Sequence, residues 1–130
     1  MTIEMLASRP GSRTYAVAAT SVGRVRTRNE DAFLLRPERD LYAVADGMGG
    51  HQRGDVAARL CIDAIDAWFA DGIEPELRGA LADLVRGALG LRSGIETDLL
   101  AAVEHANGKI FDLGRSSAAY RGMGTTLVAA

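Results

Sequence analysis

A single cysteine, Cys61, excludes an internal disulfide framework and fits a reducing compartment. Lysine is almost missing as well: of fifteen basic residues only Lys109 is not arginine. The arginines are scattered, and with a net charge of −2 no bulk positive charge recruits nucleic acid or a membrane surface. No stretch approaches the roughly 20 apolar residues needed to span a bilayer. Met1–Arg13 has no apolar signal-peptide core, so the cytoplasm is the expected location. Several chemistries also lack their residues. No Cys/His spacing suits zinc, and there is no Gly-x-Ser-x-Gly elbow. Gln52 and Leu127 stand where Gly47-Met48-Gly49 and Gly122-Met123-Gly124 would need the third glycine of a dinucleotide fingerprint. Lys109 follows Gly108 but precedes Ile110, which rules out a P-loop. There is no internal repeat and no low-complexity linker.

What the chain does have is Asp46-Gly47-Met48-Gly49-Gly50 directly after the apolar run Leu41–Ala45. Such a run reads as a buried strand, and the glycines after it let backbone approach a ligand closely. A second apolar run, Ala32–Leu35, follows Glu30 and Asp31, and Arg36–Asp40 between the runs reads as a hairpin loop. Antiparallel pairing then brings Glu30, Asp31 and Asp46 to one sheet edge. Three carboxylates so placed repel one another unless a cation sits among them, and hard divalent cations prefer oxygen donors. Adjacent strand residues point to opposite faces, however, so Glu30 and Asp31 cannot serve one ion identically. Taken alone, Asp46-Gly47 would be a turn, and Arg24, Arg26 and Arg28 share a face of an extended segment with nothing to choose among them. Asn29 reads as a brace for the loop, and His51 as a loop residue near the site.

Around this edge the pattern predicts an α+β domain. A loose leader is expected over 1–13, punctuated by Pro10-Gly11-Ser12, and one folded unit over 14–130. Tyr15–Val22 reads as a strand. Gly54 to about Ala70 reads as a helix with Val56, Leu60, Ala64 and Trp68 in its apolar stripe, widened by Cys61 and Ile65. Asp55, Asp63 and Asp66 are expected on its solvated face. Glu74-Pro75-Glu76 opens a short or frayed helix with Leu77, Leu81, Leu84, Ala88 and Leu91 inward, weakened by Gly79 and Gly87. A third helix is expected from Ile95 to Phe111, with Leu99, Val103, Ala106 and Ile110 toward the core. A polar loop over Arg115–Gly122 and a strand over Thr125–Ala130 follow. Trp68 and Phe69 are core candidates, Met48 and Met123 gap fillers, and His105 structural or exposed.

Three blocks, in order, resemble a bacterial PPM/PP2C-type protein phosphatase. They are Thr20–Asp31, Val44–His51, and Ala106-Asn107 with Ile110 and Gly122–Ala130. The resemblance runs from about Ala16 to the last residue, with Gly72–Ile95 poorly matched. It implies a sandwich of antiparallel sheets flanked by helices, of which this chain holds part. It also implies two Mn2+ or Mg2+ ions, with Asp46 and the Gly47 carbonyl as ligands and Glu30 and Asp31 holding the same cluster directly or through water. Arg26 would grip the substrate phosphate, and a metal-activated water would attack phosphorus. Substrates would be phosphoproteins, with Ser/Thr kinases among them.

Two positions depart from the pattern. Ser21 stands where many relatives carry an acid, and Met48 where eukaryotic relatives carry a histidine, which leaves the general acid unassigned. No acidic side chain follows Asp112, so the family's later metal ligands have no counterpart here. The expectation is an N-terminal portion that hydrolyses little or nothing alone. The alternative is a non-catalytic regulatory or binding module, a pseudophosphatase.

Overall fold

In the computed structural model, which describes residues 2–6, 15–48, 53–70, 73–90 and 94–130, the two apolar runs around Pro37 pair as an antiparallel hairpin. The strands among these residues are β1 (Thr2–Leu6), β2 (Ala16–Thr20), β3 (Asp31–Arg36), β4 (Leu41–Met48) and β5 (Gly124–Ala129). The helices are α1 (Gly54–Phe69), α2 (Pro75–Leu89) and α3 (Ile95–Ser116). Pro37 opens a short 3-10 turn, and Asp40 closes it in the left-handed region (φ 51°), its N–H donating to the Pro37 carbonyl over 3.2 Å. Aspartate tolerates that conformation better than most residues, so the reversal is tight and the register fixed.

Strand β4 is central, with β3 and β5 antiparallel on either side. Its burial alternates with the strand period: Leu41, Ala43, Ala45 and Gly47 are buried, while Val44, Asp46 and Met48 are exposed. Helix α1 covers the buried face, α3 packs along α1, and α2 packs against α3. Leu34, Leu41, Ala43, Ala45, Cys61, Ile65, Trp68, Ala101, Ala102 and Ala106 form one continuous core. This is the expected α+β arrangement.

Strand β1 replaces part of the expected leader. Thr2–Leu6 pair antiparallel with β2, Met5 opposite Val17 and Thr2 opposite Thr20. The β-branched Thr2 and Ile3 and the apolar Met5 and Leu6 suit a ladder.

The helix stripes also fall differently. On α1 the deepest residues are Ala57, Ala58, Cys61, Ile62, Ala64, Ile65 and Trp68, with Val56 and Leu60 only half-buried. Alanine at 57 and 58 lets the helix lie close to the sheet, which turns the larger Val56 and Leu60 aside. Asp66 is not simply solvated, because Arg36 of β3 holds it with two hydrogen bonds of 2.8 and 2.5 Å. Helix α2 is a full 15 residues, and its buried position is Val85, with Leu81 and Ala82 packed partly against the core. Leu77 and Leu84 are exposed. Helix α3 continues to Ser116, past the expected end at Phe111, and buries Thr97, Ala101, Ala102 and Ala106. Leu99, Val103 and Ile110 sit at the margin of the core. Met123 is buried as expected, but Met48 is exposed. Cys61 is buried, and burial pushes its thiol up from the ordinary value, as expected of an inert core cysteine.

Trp68, fully buried, lies against His105 with ring centroids 5.6 Å apart. The indole Nε1 and the imidazole Nε2 are both buried without a hydrogen-bond partner. Burial, and then Lys109 one turn on, lower the His105 pKa from its ordinary value. The unfolded chain therefore takes this proton first as pH falls, and stability is lost below about pH 6.5. Urea unfolding midpoints at pH 7.5 and 5.0 should fall with pH, and His105→Phe should flatten that dependence. An unchanged slope in the variant would exclude His105 as its source.

A tighter constraint lies where β4 meets α1. A Cβ on Gly54 would stand 2.8 Å from the Gly47 carbonyl carbon and 2.9 Å from the Met48 nitrogen. A Cβ on Gly47 would collide with the Gly54 carbonyl group and stand 2.6 Å from the Glu30 carbonyl oxygen. Only backbone fits between these two glycines. Gly54→Ala should therefore cost about 3 kcal/mol, measured by urea denaturation. A loss below about 0.5 kcal/mol, the range of ordinary surface substitutions, would mean the contact yields freely.

Candidate metal and phosphate site

Asp31 and Asp46 are directly opposed across the β3–β4 ladder. The Gly47 N–H donates to the Glu30 carbonyl over 2.9 Å, which makes the next pair, Asp31 and Asp46, one without mutual hydrogen bonds. In such a pair the side chains share a face and stand closest together. That face is the one α1 does not cover, and Asp46 is exposed on it. Glu30 falls on the opposite phase of the strand, only 9% exposed, with the Arg26 guanidinium 3.6 Å from its carboxylate. The carboxylates expected at one edge thus divide, with two together and Glu30 behind them. Strand alternation, noted from the sequence, is the reason.

The segment before β3 is braced by side chains. The Thr20 hydroxyl donates to the Asp31 carboxylate at 2.9 Å and accepts from the Asn29 amide at 2.9 Å. The Asn29 Oδ1 in turn accepts from the Asp31 N–H at 3.2 Å. Asn29 is therefore structural, joining β2 to the start of β3. Arg26 is largely exposed, and Glu30 is its partner among the described residues. The Ser21 hydroxyl accepts from the Gly23 N–H at 3.2 Å, a local turn contact. His51, Gly49 and Gly50 lie outside the described residues.

The donors present suit a hard divalent cation, being carboxylate and carbonyl oxygens on a strand end. They amount to part of a coordination shell: among the described residues no three acidic, histidine or cysteine side chains converge as a complete metal site. Asp31 and Asp46 are the pair that would hold an ion on the open face, with the Gly47 backbone next to them.

Sequence reasoning did not single out Arg53. It precedes α1 with φ 66°, one of two non-glycine residues at positive φ among those described. Its Nε contacts Asp55 at 3.2 Å, and its guanidinium lies 5.7 Å from the centre of the Tyr120 ring. No local residue pattern announces a left-handed arginine.

This hairpin, with paired aspartates at its open end and a helix closed onto its glycine, belongs to a known class of phosphatase domain. The chain is a member of the protein phosphatase 2C family, whose model matches residues 20–130. The serine/threonine phosphatase stp of Listeria innocua is 35% identical over 120 residues, covering 89% of this chain and 42% of that protein. The crystal structure of the Mycobacterium tuberculosis serine/threonine phosphatase PstP/Ppp superposes with a TM-score of 0.57 at 34% identity, over 82% of this chain and 37% of that one. The PstP catalytic domain in complex with two manganese ions gives a TM-score of 0.59 at 28% identity, over 98% of this chain and 40% of that one. The chain spans about two-fifths of the length of the relatives it matches. Among its described residues no helix is long and apolar enough to cross a membrane.

The Thr20 hydroxyl is the joint of the brace. Thr20→Val should cost about 1 kcal/mol, the net worth of a lost hydrogen bond, and should loosen Asp31. Urea denaturation tests the cost, and the Asp31 amide resonance tests the loosening. An unmoved Asp31 resonance would refute the bracing role.

Proposed function

We propose that this chain is the N-terminal portion of a metal-dependent phosphoserine/phosphothreonine protein phosphatase and that alone it hydrolyses little or nothing. The opposed pair Asp31 and Asp46 carries this reading. Directly opposed carboxylates on an uncovered sheet face are repulsive unless a cation lies between them. A divalent ion bound there supplies an activated water for hydrolysis and neutralises phosphate charge.

This chain's own residues would do the rest. Asp46 and Asp31 would hold the ion with the Gly47 carbonyl. Glu30, set behind them, anchors Arg26 through their ion pair, so that Arg26 reaches a phosphate from a fixed base. Asn29 and Thr20 fix the Asp31 carboxylate. His51, next in the chain after the glycines, is an accessory candidate for proton transfer or substrate contact. Two Mn2+ or Mg2+ ions, the complement of the parent enzyme, would need further ligands from outside these residues. That is why the isolated chain should be inactive. Phosphoproteins, with Ser/Thr kinases among them, are the proposed substrates, and the cytoplasm the proposed location.

Manganese titration calorimetry on the chain tests the half-site directly. Saturable binding is expected in the wild type and should be lost in Asp46→Asn. Phosphopeptide turnover should stay at background at saturating manganese. Robust turnover by the 130-residue chain would overturn the inactivity. Absence of binding in a folded chain would place ion capture in the parent protein alone. The phosphatase function would then belong to the parent protein and not to these residues alone.

A further inference from the structure

Between β2 and β3 the chain runs through Ser21-Val22-Gly23-Arg24-Val25-Arg26-Thr27-Arg28, a loop in which every residue is exposed. It holds three arginines and no acid, a local reversal of sign in a chain of net charge −2. Its base is closed. The Asn29 amide donates to the Thr20 hydroxyl at 2.9 Å, and both residues also bond Asp31 of the candidate ion pair. Near its start, Gly23 (φ 72°) turns the chain with its N–H on the Ser21 hydroxyl. The three arginines are not equivalent. Arg26 is paired with Glu30, whereas Arg24 and Arg28 make no hydrogen bond or ion pair among the described residues. Elsewhere Arg36 holds Asp66, Arg53 holds Asp55 and Arg86 holds Asp83.

A lone exposed arginine is ordinary. Two of them flanking Arg26, on a loop tied at its base to the ion-holding aspartates, lie where a substrate chain has to pass. With the phosphate on Arg26, the residues to either side of the phosphorylated one run along this loop. We propose that Arg24 and Arg28 select substrate segments that carry aspartate or glutamate beside the phosphorylated residue. This deepens the phosphatase reading and rests on it. A guanidinium fork matches a carboxylate, and no acid within the loop competes for either arginine. Glu30, the next acid along the chain, is 9% exposed and already engaged by Arg26. Val25, 94% exposed between them in sequence, offers apolar contact to a chain laid across the loop. A nucleic acid fits less well: its unbroken row of phosphates would continue onto the carboxylates of Asp31 and Asp46, whereas a peptide places its charges singly.

The test uses the purified chain in millimolar manganese and short fluorescent phosphoserine peptides, one with glutamate on both sides of the phosphoserine and one with glutamine there. Their unphosphorylated counterparts are measured alongside. Anisotropy at low salt should show the glutamate phosphopeptide bound about tenfold more tightly than the glutamine one. That preference should fade as ionic strength rises to about 0.5 M. Arg24→Gln and Arg28→Gln should each reduce it about threefold, and the double variant should abolish it. Glutamate at both positions should reverse it, which a merely structural role for the arginines would not produce. Arg86→Gln, the same change of net charge on α2, should leave it intact. Arg26→Gln should weaken both phosphopeptides alike and keep their ratio. Equal binding of the two phosphopeptides, or a preference surviving in the double variant, would overturn the proposal. So would tighter binding of a short oligothymidylate than of the glutamate phosphopeptide. Glutamate preference with no gain from phosphorylation would sink the phosphate role of Arg26 and leave the loop's selectivity standing. A gain from phosphorylation without glutamate preference would do the reverse.

Discussion

The close approach of Gly47 and Gly54 governs the geometry of everything functional in this chain. With no Cβ on either side, the end of β4 and the first turn of α1 meet backbone to backbone, with the Glu30 carbonyl completing the contact. Three things follow from it. Asp46 is held at the open end of the hairpin, one residue before the contact. Helix α1 begins immediately beside it, which sets its first turns against the Asn29–Asp31 segment. Glu30 is drawn into register opposite Gly47, so strand alternation forces Asp31 to face Asp46. One contact between two residues without side chains thus sets the positions of three carboxylates.

The core then holds that contact in place. Alanines on α1 and α3 bring the helices close to the sheet and to each other, and Trp68 fills the space beyond them. Arg36 and Asp66 tie the far end of β3 to the last turn of α1, while Arg39 donates to the carbonyl of Phe69. Helix α1 is therefore fixed to the hairpin at both ends, by glycine contact at its start and by charged hydrogen bonds at its finish. A helix pinned in this way keeps its first turn in a fixed place beside the end of β4.

Sequence patterning exposed the hairpin because its signals are local: two apolar runs, Pro37 between them, and Asp46-Gly47 after. The aspartate pairing followed from register alone. The helix faces were harder to read because alanine carries little hydrophobic contrast. The eye goes to Val56 and Leu60, or to Leu77 and Leu84, while the core selects Ala57, Ala58 and Val85 for closeness of approach rather than bulk. The bond between Arg36 and Asp66 joins residues 30 apart, and no periodicity encodes it. Strand β1 has only a short β-branched start, followed within a few residues by the turn formers Pro10-Gly11-Ser12. Arg53 left no trace, since its left-handed backbone is imposed by the approach of Gly54 to the sheet.

The uncovered face of the β3–β4–β5 sheet carries Val44 at 55% exposure and Val128 at 74%, paired with each other two residues along the ladder from Asp46. A sheet buried on one face and apolar on the other is unusual for a free-standing domain, where the outer face is normally polar. The same face presents the aspartate pair. Apolar side chains around a pair of carboxylates describe a surface that becomes an interior: once covered, the surrounding dielectric falls and the carboxylates can remain charged only with a cation between them. Burial of this face and ion capture are thus one requirement seen from two sides. The relatives that this chain matches are more than twice its length. On the reading proposed above, the pair would hold an ion weakly while this face is open and more tightly once it is covered.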